Sequence, residues 1–413
     1  MALSPLPQPE RRNNKQEMTL DINLKRIGVI GGGQLAWMMG SPAQKMGIEL
    51  VIQTPHSTDP AVNIADETIL AAIDDPLATA KLASYCDVIT FENEFINLEA
   101  LMQLAEKGIC FRPRLEALAP LLDKYEQRLY LEKIGIPQPH FTTWAGEIGK
   151  EKIINSKLYP QYLSRNDLNF PLVVKARRNG YDGQGTFIIK NRDSLEQTWE
   201  KLGQNPVLLE EFIPFERELA VVAARGLTGE VVVYPVVETQ QEEQVCCRVL
   251  VPAEISPEVV AEINAIANTI LTSLEVVGIF GIELFLTTDG KVLVNEVSPR
   301  THNSGHFTID ACETSQFENH LRAVAGLPLG NTALNCHGAV MVNLLGYETS
   351  QNDYIEKRQK LASLPETFVH WYGKTESRPG RKLGHVTVRC DSQLRIDLNA
   401  IAKNIESIWY RYI

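Results

Sequence analysis

Gly278-Ile279-Phe280-Gly281-Ile282-Glu283-Leu284-Phe285-Leu286 is followed by Thr287-Thr288-Asp289-Gly290 and then by Lys291-Val292-Leu293-Val294-Asn295-Glu296-Val297. Two β-branched and aromatic runs joined through Asp-Gly read as a hairpin, since that dipeptide is the preferred centre of a type I′ turn. With Asp289-Gly290 as a two-residue loop, Glu283 faces Glu296 directly, and Phe285 and Val294 come next along the same face. Carboxylates placed opposite one another repel unless something lies between them. A Mg²⁺ ion, or Mn²⁺ in its place, suits Glu283 and Glu296, because it takes one or two carboxylates together with substrate phosphates. The alternative is a solvated acidic edge.

Upstream, Pro171-Leu172-Val173-Val174-Lys175 reads as a strand. Asn179-Gly180-Tyr181-Asp182-Gly183-Gln184-Gly185 and a second strand, Thr186-Phe187-Ile188-Ile189-Lys190, follow it. A glycine-rich loop between antiparallel strands can fold over phosphates with its backbone N–H groups, and Lys175 adds a point charge near the α/β-phosphates. An ordinary long hairpin is the competing reading. A helix over 193–202 capped by Asp193 precedes Val207-Leu208-Leu209, which runs into Glu210-Glu211-Phe212-Ile213. That extended backbone can read an adenine edge, and Glu218 can accept ribose hydroxyls. Strands over 219–224 and 231–237 flank a glycine turn, and 257–274 reads as a helix.

Downstream of the hairpin, Ser298-Pro299-Arg300-Thr301-His302-Asn303-Ser304-Gly305-His306 concentrates anion-binding and hydrogen-bonding groups. Arg300 can clamp a carboxylate or bicarbonate bidentately, Asn303 and Ser304 can orient it, and His302 lies between them. Farther on, Lys374 and Arg378-Pro379-Gly380-Arg381-Lys382 gather cations on an acidic chain. They form either a solvated run or a phosphate cradle for a second substrate.

At the N-terminal end, Ile27-Gly28-Val29-Ile30, a helical stretch from Gln34 to Met46, Leu50-Val51-Ile52 and Val88-Ile89-Thr90-Phe91 follow a βαβ rhythm, which predicts a parallel sheet. Gly31-Gly32-Gly33-Gln34-Leu35-Ala36 matches G-x-G-x-x-A. The second strand, however, ends in Gln53-Thr54 rather than in the acid a dinucleotide site expects. A close-packed βα turn is therefore favoured, with Gln34 available to a substrate. A nucleotide-cofactor oxidoreductase using the 31–36 turn stands as the alternative from another class. The helix over 123–134 stops at Gly135-Ile136-Pro137. The expected organisation is a loose extension (1–24), an α/β domain (25–118), a central unit (119–330) and a smaller β-rich C-terminal domain (331–413).

The 413 residues carry 40 basic against 51 acidic side chains, a net charge of −11. That balance argues against nucleic acid or a membrane surface as partner. The seven scattered cysteines lack ligand spacing, and no apolar run approaches membrane-spanning length, which together predict a cytoplasmic protein.

The combination resembles the ATP-grasp ligases, and within them the N5-carboxyaminoimidazole ribonucleotide synthetases of purine biosynthesis. The residues carrying the likeness are Gly32-Gly33-Gln34-Leu35, Phe91-Glu92-Asn93-Glu94, the 179–185 loop, Asn295-Glu296, Pro299-Arg300-Thr301-His302-Asn303-Ser304-Gly305-His306 and Arg378-Pro379-Gly380-Arg381-Lys382-Leu383-Gly384-His385. The resemblance implies an α/β and α+β multidomain homodimer: a parallel α/β pre-ATP-grasp domain, a two-lobed ATP-grasp domain and the β-rich C-terminal domain. It implies ATP-dependent carboxylation of 5-aminoimidazole ribonucleotide with bicarbonate through carboxyphosphate, giving ADP and phosphate. Another ATP-grasp ligase or transformylase with a different nucleophile is the nearer alternative. By position, Arg112, Lys175, the 180–185 loop, Glu210 to Ile213, Glu218, Asn295 and Glu296 would surround ATP, and Glu283 and Glu296 would hold magnesium. Gln34, Glu94, Tyr181, Arg300, Lys374, Arg381 and Lys382 would meet the ribonucleotide, with Arg300, His302, Asn303 and Lys175 catalytic. Three departures stand out: Ala36-Trp37 where the family often has Gly-Arg, Gln241 where a histidine is common, and Arg128 for a usual lysine.

Overall fold

The apolar run after Lys25 forms the strand Arg26–Ile30, paired in parallel with Glu49–Thr54 on one side and Val88–Phe91 on the other. Glu67–Leu70 completes this four-stranded sheet beyond Glu49–Thr54. Ile27, Val29, Ile30 and Ile52 are fully buried, as expected for a parallel sheet covered on both faces. The computed structural model describes residues 25–144, 147–148, 151–152, 168–178, 180, 185–391 and 397–410. The extension 1–24 and the loop residues Asn179 and Tyr181 to Gln184 lie outside the described residues.

The helix expected from Gln34 to Met46 is two helices, Gln34–Trp37 and Gly40–Met46. Pro42 explains the break: its ring cannot coexist with the carbonyl four residues earlier in a continuous helix, and it has no N–H to donate. The glycines before the first helix serve Glu92, whose carboxylate accepts from the backbone N–H groups of Gly33 (3.0 Å) and Leu35 (3.3 Å). A Cβ on Gly33 would sit 2.3 Å from Glu92 Oε1. The helix N-terminus is thus already occupied by an acceptor of the chain's own, a carboxyl that burial pushes above the usual range, and the dinucleotide reading of this turn loses its phosphate site.

A nine-stranded sheet organises the rest. Its order runs Val292–Ser298, Gly278–Thr287, Phe215–Arg225, Val237–Glu242, Val245–Val251, Gly338–Leu345, Lys382–Cys390, Thr367–Trp371, with Val231–Val233 beside Phe215–Arg225. Strands from beyond residue 331 therefore extend the sheet that carries the acidic hairpin. The tail closes with the helix Leu398–Trp409. The helix Pro257–Ser273, capped by Ser256, lays Ile263, Ile266, Ile270 and Leu271 on the core face of this sheet. A second, antiparallel sheet of Phe141–Trp144, Val207–Glu211, Leu172–Ala176 and Thr186–Ile189 forms the smaller lobe.

Two local expectations change. The strand expected over 231–237 is interrupted at Tyr234-Pro235-Val236, where proline has no N–H for the ladder. The helix Arg192–Lys201 is capped by Asn191, whose side chain accepts from Ser194 N at 3.0 Å; Asp193 sits in its first turn instead.

The hairpin itself is built differently from the expected two-residue loop. Thr287 N donates to Lys291 O (3.0 Å) and Gly290 N to Thr287 O (2.9 Å), with Gly290 at φ +80°. The loop is Thr288-Asp289-Gly290, the three-residue type that needs a left-handed third residue. Near the turn Leu286 pairs with Val292, Phe285 with Leu293 and Leu284 with Val294; a register shift then restores Glu283 opposite Glu296. The bulge offsets the longer loop. Val294 consequently packs into the core with Leu284, and Leu293 takes the place expected of Val294 beside Phe285. Among the described residues no helix is long and apolar enough to cross a membrane.

Candidate active site

A cleft of roughly 1950 Å³ lies between the N-terminal sheet, the smaller lobe and the face of the large sheet that carries the hairpin. It gathers Gln34 and Glu94 from the first unit; Lys175, Gly180 and Glu210 to Ile213 from the smaller lobe; and Glu218, Glu283, Asn295 and Glu296 from the large sheet. Arg300, His302 and Asn303 border it, as do Lys374, Arg381 and Lys382. Arg112 stands apart from this lining: its guanidinium donates to Val324 O, in the helix Gln316–Ala325. Gly185 also lies outside the lining; it immediately precedes the return strand Thr186–Ile189, and its carbonyl accepts from Ala176 N at 2.7 Å. Tyr181, Asp182, Gly183 and Gln184 lie outside the described residues.

The acid pair sits in a web of counter-charges. Glu283 Oε2 accepts from Asn295 Nδ2 at 3.2 Å, and His302 Nε2 lies 3.4 Å from Glu283 Oε1. Burial pushes the Glu283 carboxyl up, but His302, Lys124 and Lys175 outweigh it and hold the pKa down at about 2. Lys124 Nζ is ion-paired with Glu296. Sequence reasoning missed Lys124; its signal was the Asp123-Lys124 pair that opens the helix Lys124–Lys133, with Asp123 accepting from Tyr125 N at 2.9 Å. Glu218 is raised to about 7, first by burial and then by the charge of Glu283. Phe215 and Phe285 stack 4.8 Å apart beside these acids, an apolar wall suited to a flat ring.

Glu210 is not positioned to touch a base with its side chain. It is 2% exposed, and its carboxylate accepts from Arg128 Nε (2.6 Å) and Lys175 Nζ (2.8 Å). Lys175 Nζ also donates to Asn295 Oδ1 at 2.9 Å, which ties the smaller lobe to the hairpin. Burial would raise the Glu210 carboxyl, yet the charges of Arg128 and Lys175 hold it at about 2. Lys175 is held below the usual lysine range by burial and by the nearby Arg128 and Lys124. A depressed carboxyl contributes stability that is present above its unfolded pKa near 4 and lost as pH falls through about 2; for this shift the contribution is about 3 kcal/mol. The urea midpoint should therefore fall more steeply between pH 4 and pH 2 in the wild type than in Glu210→Gln. Parallel slopes in the two proteins would remove Glu210 from this role.

On the opposite wall Arg300 Nε lies 3.0 Å from Glu94 Oε1 without hydrogen-bond alignment, an ion pair that a better-aligned anion can displace. His302 is clamped through its backbone by Gln316 (2.9 and 2.7 Å), and its Nδ1 lies 2.8 Å from Ser304 Oγ. Asn303 exchanges two hydrogen bonds with the buried Asn343 (3.0 and 2.7 Å). Lys374 Nζ donates to Gln34 Oε1 (2.8 Å) and Lys382 O (2.7 Å), so the C-terminal cations meet the first unit. Trp37, one of the departures, packs edge-on against Tyr372 at 6.1 Å and reinforces that junction; Gln241 borders the cleft. Behind it lie Asp310, His370 and His385. The two imidazoles stack 4.5 Å apart; His370 Nε2 lies 2.8 Å from Asp310 Oδ2, and His385 Nδ1 lies 2.8 Å from the Tyr372 hydroxyl.

Comparison with known proteins places almost the whole chain among relatives of one fold and family. Family models match for the ribonucleotide synthetase preATP-grasp domain (residues 24–120), the ATP-grasp domain (152–317) and the phosphoribosylaminoimidazole carboxylase C-terminal domain (339–397). The N5-carboxyaminoimidazole ribonucleotide synthase of Synechococcus elongatus is 50% identical over 94% of this chain and 96% of its own. The crystal structure of N5-carboxyaminoimidazole ribonucleotide synthetase from Thermotoga maritima aligns with a TM-score of 0.79 at 38% identity, covering 93% of this chain and 98% of that one. The Aspergillus clavatus enzyme in complex with ADP and 5-aminoimidazole ribonucleotide aligns with a TM-score of 0.82 at 29% identity, covering 94% and 98%.

Proposed function

Because this chain belongs to the N5-carboxyaminoimidazole ribonucleotide synthase family of ATP-grasp ligases, we infer that its cleft performs that family's reaction with the residues assigned below. The protein is an ATP-dependent ligase that carboxylates 5-aminoimidazole ribonucleotide to N5-carboxyaminoimidazole ribonucleotide in purine biosynthesis, with ATP as cosubstrate. The observation that carries the residue assignment is the pairing of Glu283 with Glu296 on the cleft wall, beside Lys175 and Asn295.

Two carboxylates on neighbouring strands, one paired with Lys124 and the other beside His302 and the Asn295 amide, are a donor set that fits Mg²⁺. When bound there, the ion neutralises charge on the phosphates of ATP. Lys175 and Lys124, now paired with Glu210 and Glu296, are positioned to turn to the phosphates. Phosphoryl transfer relies on such positioning and electrostatics rather than on covalent help. Arg300 releases Glu94 to clamp bicarbonate bidentately, with the Asn303 amide orienting it, and the γ-phosphoryl group passes to a bicarbonate oxygen to give carboxyphosphate and ADP. The exocyclic amine of the ribonucleotide, held by phosphate contacts to Lys374, Arg381 and Lys382 and by Gln34 and Glu94, then takes the carboxyl group and releases phosphate. His302, held by Ser304 and beside Glu283, is placed to carry a proton at Nε2. The loop 180–185 belongs to the same reading as a cover for the phosphates.

The proposal extends to a cytoplasmic homodimer, for which the family likeness and seven free thiols are the support. Phosphate release measured by a coupled assay should require bicarbonate and 5-aminoimidazole ribonucleotide together. Equal turnover on a different amine nucleophile would move the protein to another branch of the ATP-grasp ligases.

A further inference from the structure

Glu283 and Glu296 face each other only because Asn295 is an extra residue on its strand. A β-bulge of this kind re-aims side chains, and it obliges the carbonyls around it to find partners outside the regular ladder. The carbonyls on either side of Asn295 belong to Val294 and Asn295 itself. Both are met by one buried side chain: Arg128 donates from Nη1 to Val294 O at 2.8 Å and from Nη2 to Asn295 O at 2.7 Å. Its Nε donates to Glu210 Oε1 at 2.6 Å, and Nη1 also reaches Gln138 Oε1 at 3.3 Å. Gln138 Nε2 in turn donates to Arg128 O at 2.8 Å. The side chain is 2% exposed, so these bonds are made away from water. The helix Lys124–Lys133, which supplies Arg128, also supplies Lys124 to Glu296 and Gln127, whose side chain holds both Val297 O and Val297 N (2.9 and 2.8 Å).

We propose that Arg128 is a positioning residue for metal and nucleotide: its planar guanidinium sets the bulge that turns Asn295 and Glu296 together toward the cleft, and through Glu210 it sets Lys175. Arg128 touches no substrate in this scheme. It acts through Glu296, which belongs to the acid pair, and through Lys175, the phosphate-side lysine. The inference rests on the assignment of Glu283 and Glu296 to the divalent ion. This chain carries an arginine where the family usually has a lysine, and here the coplanar fork meets two carbonyls and a carboxylate at once, which a single ammonium group cannot do.

The test compares Arg128→Lys, Arg128→Met and Glu296→Gln in the full-length protein, reading turnover against Mg²⁺ concentration at saturating ATP, KM for the ribonucleotide, and thermal melting. Supports behind metal ligands typically change metal affinity 10- to 100-fold. Arg128→Met should raise the Mg²⁺ concentration for half-maximal rate by about tenfold or more. Arg128→Lys keeps the charge beside Glu210 but cannot span both carbonyls, and should raise it by about threefold. KM for the ribonucleotide should stay unchanged in both, a split that general loosening of the fold would not produce. An unchanged Mg²⁺ requirement in the lysine variant overturns the proposal, whether or not the methionine variant folds. Glu296→Gln separates the two levels: if it too keeps full turnover and an unchanged Mg²⁺ requirement, the acid-pair assignment has failed rather than the role of Arg128.

Discussion

Glu283→Gln is expected to lower kcat by about 10³-fold, near 4 kcal/mol of transition-state stabilisation, while ADP still binds. Glutamine preserves the shape and the hydrogen bond that Asn295 Nδ2 donates, so the loss isolates charge rather than packing. The carboxyl is held down at about 2 by His302, Lys124 and Lys175, so the wild-type side chain carries its charge across the working pH range. Glu296→Gln should have a comparable effect. The double variant should fall little below either single one, because both carboxylates hold one ion and effects within a unit do not add. Steady-state phosphate release at several Mg²⁺ concentrations, paired with a fluorescent-nucleotide titration, measures both sides. Independent, multiplicative losses would mean that the two acids serve different ligands.

The acid pair marks how far a sequence discloses a hairpin. Asp289-Gly290 announces a turn, and apolar alternation announces two strands, but neither distinguishes a two-residue loop from a three-residue one. The loop is one residue longer than expected and the strand carries one residue extra, so the two departures cancel at Glu283 and Glu296 and remain visible only at Val294 and Leu293. A bulge has no composition signal of its own; the side chain that meets its carbonyls is Arg128, more than 160 positions away in the chain, whose burial nothing in the helix pattern around it reveals. The glycine turn is a similar case. Its spacing speaks of an anion at a helix N-terminus, but the place is taken by the Glu92 carboxyl, just past a strand about 60 residues later. Motif residues at 300–306 and 374–382 were legible because the chemistry is carried by type and order along the chain. Lys124, Gln316 and Asn343 were not, since each acts through a tertiary contact. Nor does the sequence around Arg112 disclose its partner, the carbonyl of Val324 more than 200 positions later.

Lys175→Met should reduce kcat/KM for ATP by about 10²- to 10³-fold with only a modest loss of stability. The two effects part because of what remains behind. Removing the ammonium leaves Glu210 its bond to Arg128 Nε at 2.6 Å, so the buried carboxylate stays paired and the lobe stays folded. The bond from Lys175 to Asn295 is lost as well, about 1–3 kcal/mol at most for a buried polar partner left waiting. Catalysis has no such substitute, for Arg128 is turned to the hairpin carbonyls and cannot follow the phosphates. Lys175→Arg should not restore activity either. The ammonium sits 2.8 Å from Glu210 and 2.9 Å from Asn295 in a side chain about nine-tenths buried, a space for a point charge rather than for a planar fork. Denaturation curves and ATP-dependent rates measured on the same preparations decide the matter. A methionine variant that unfolds in step with its loss of rate would make Lys175 a structural cation, and would leave the phosphates to Lys124 alone.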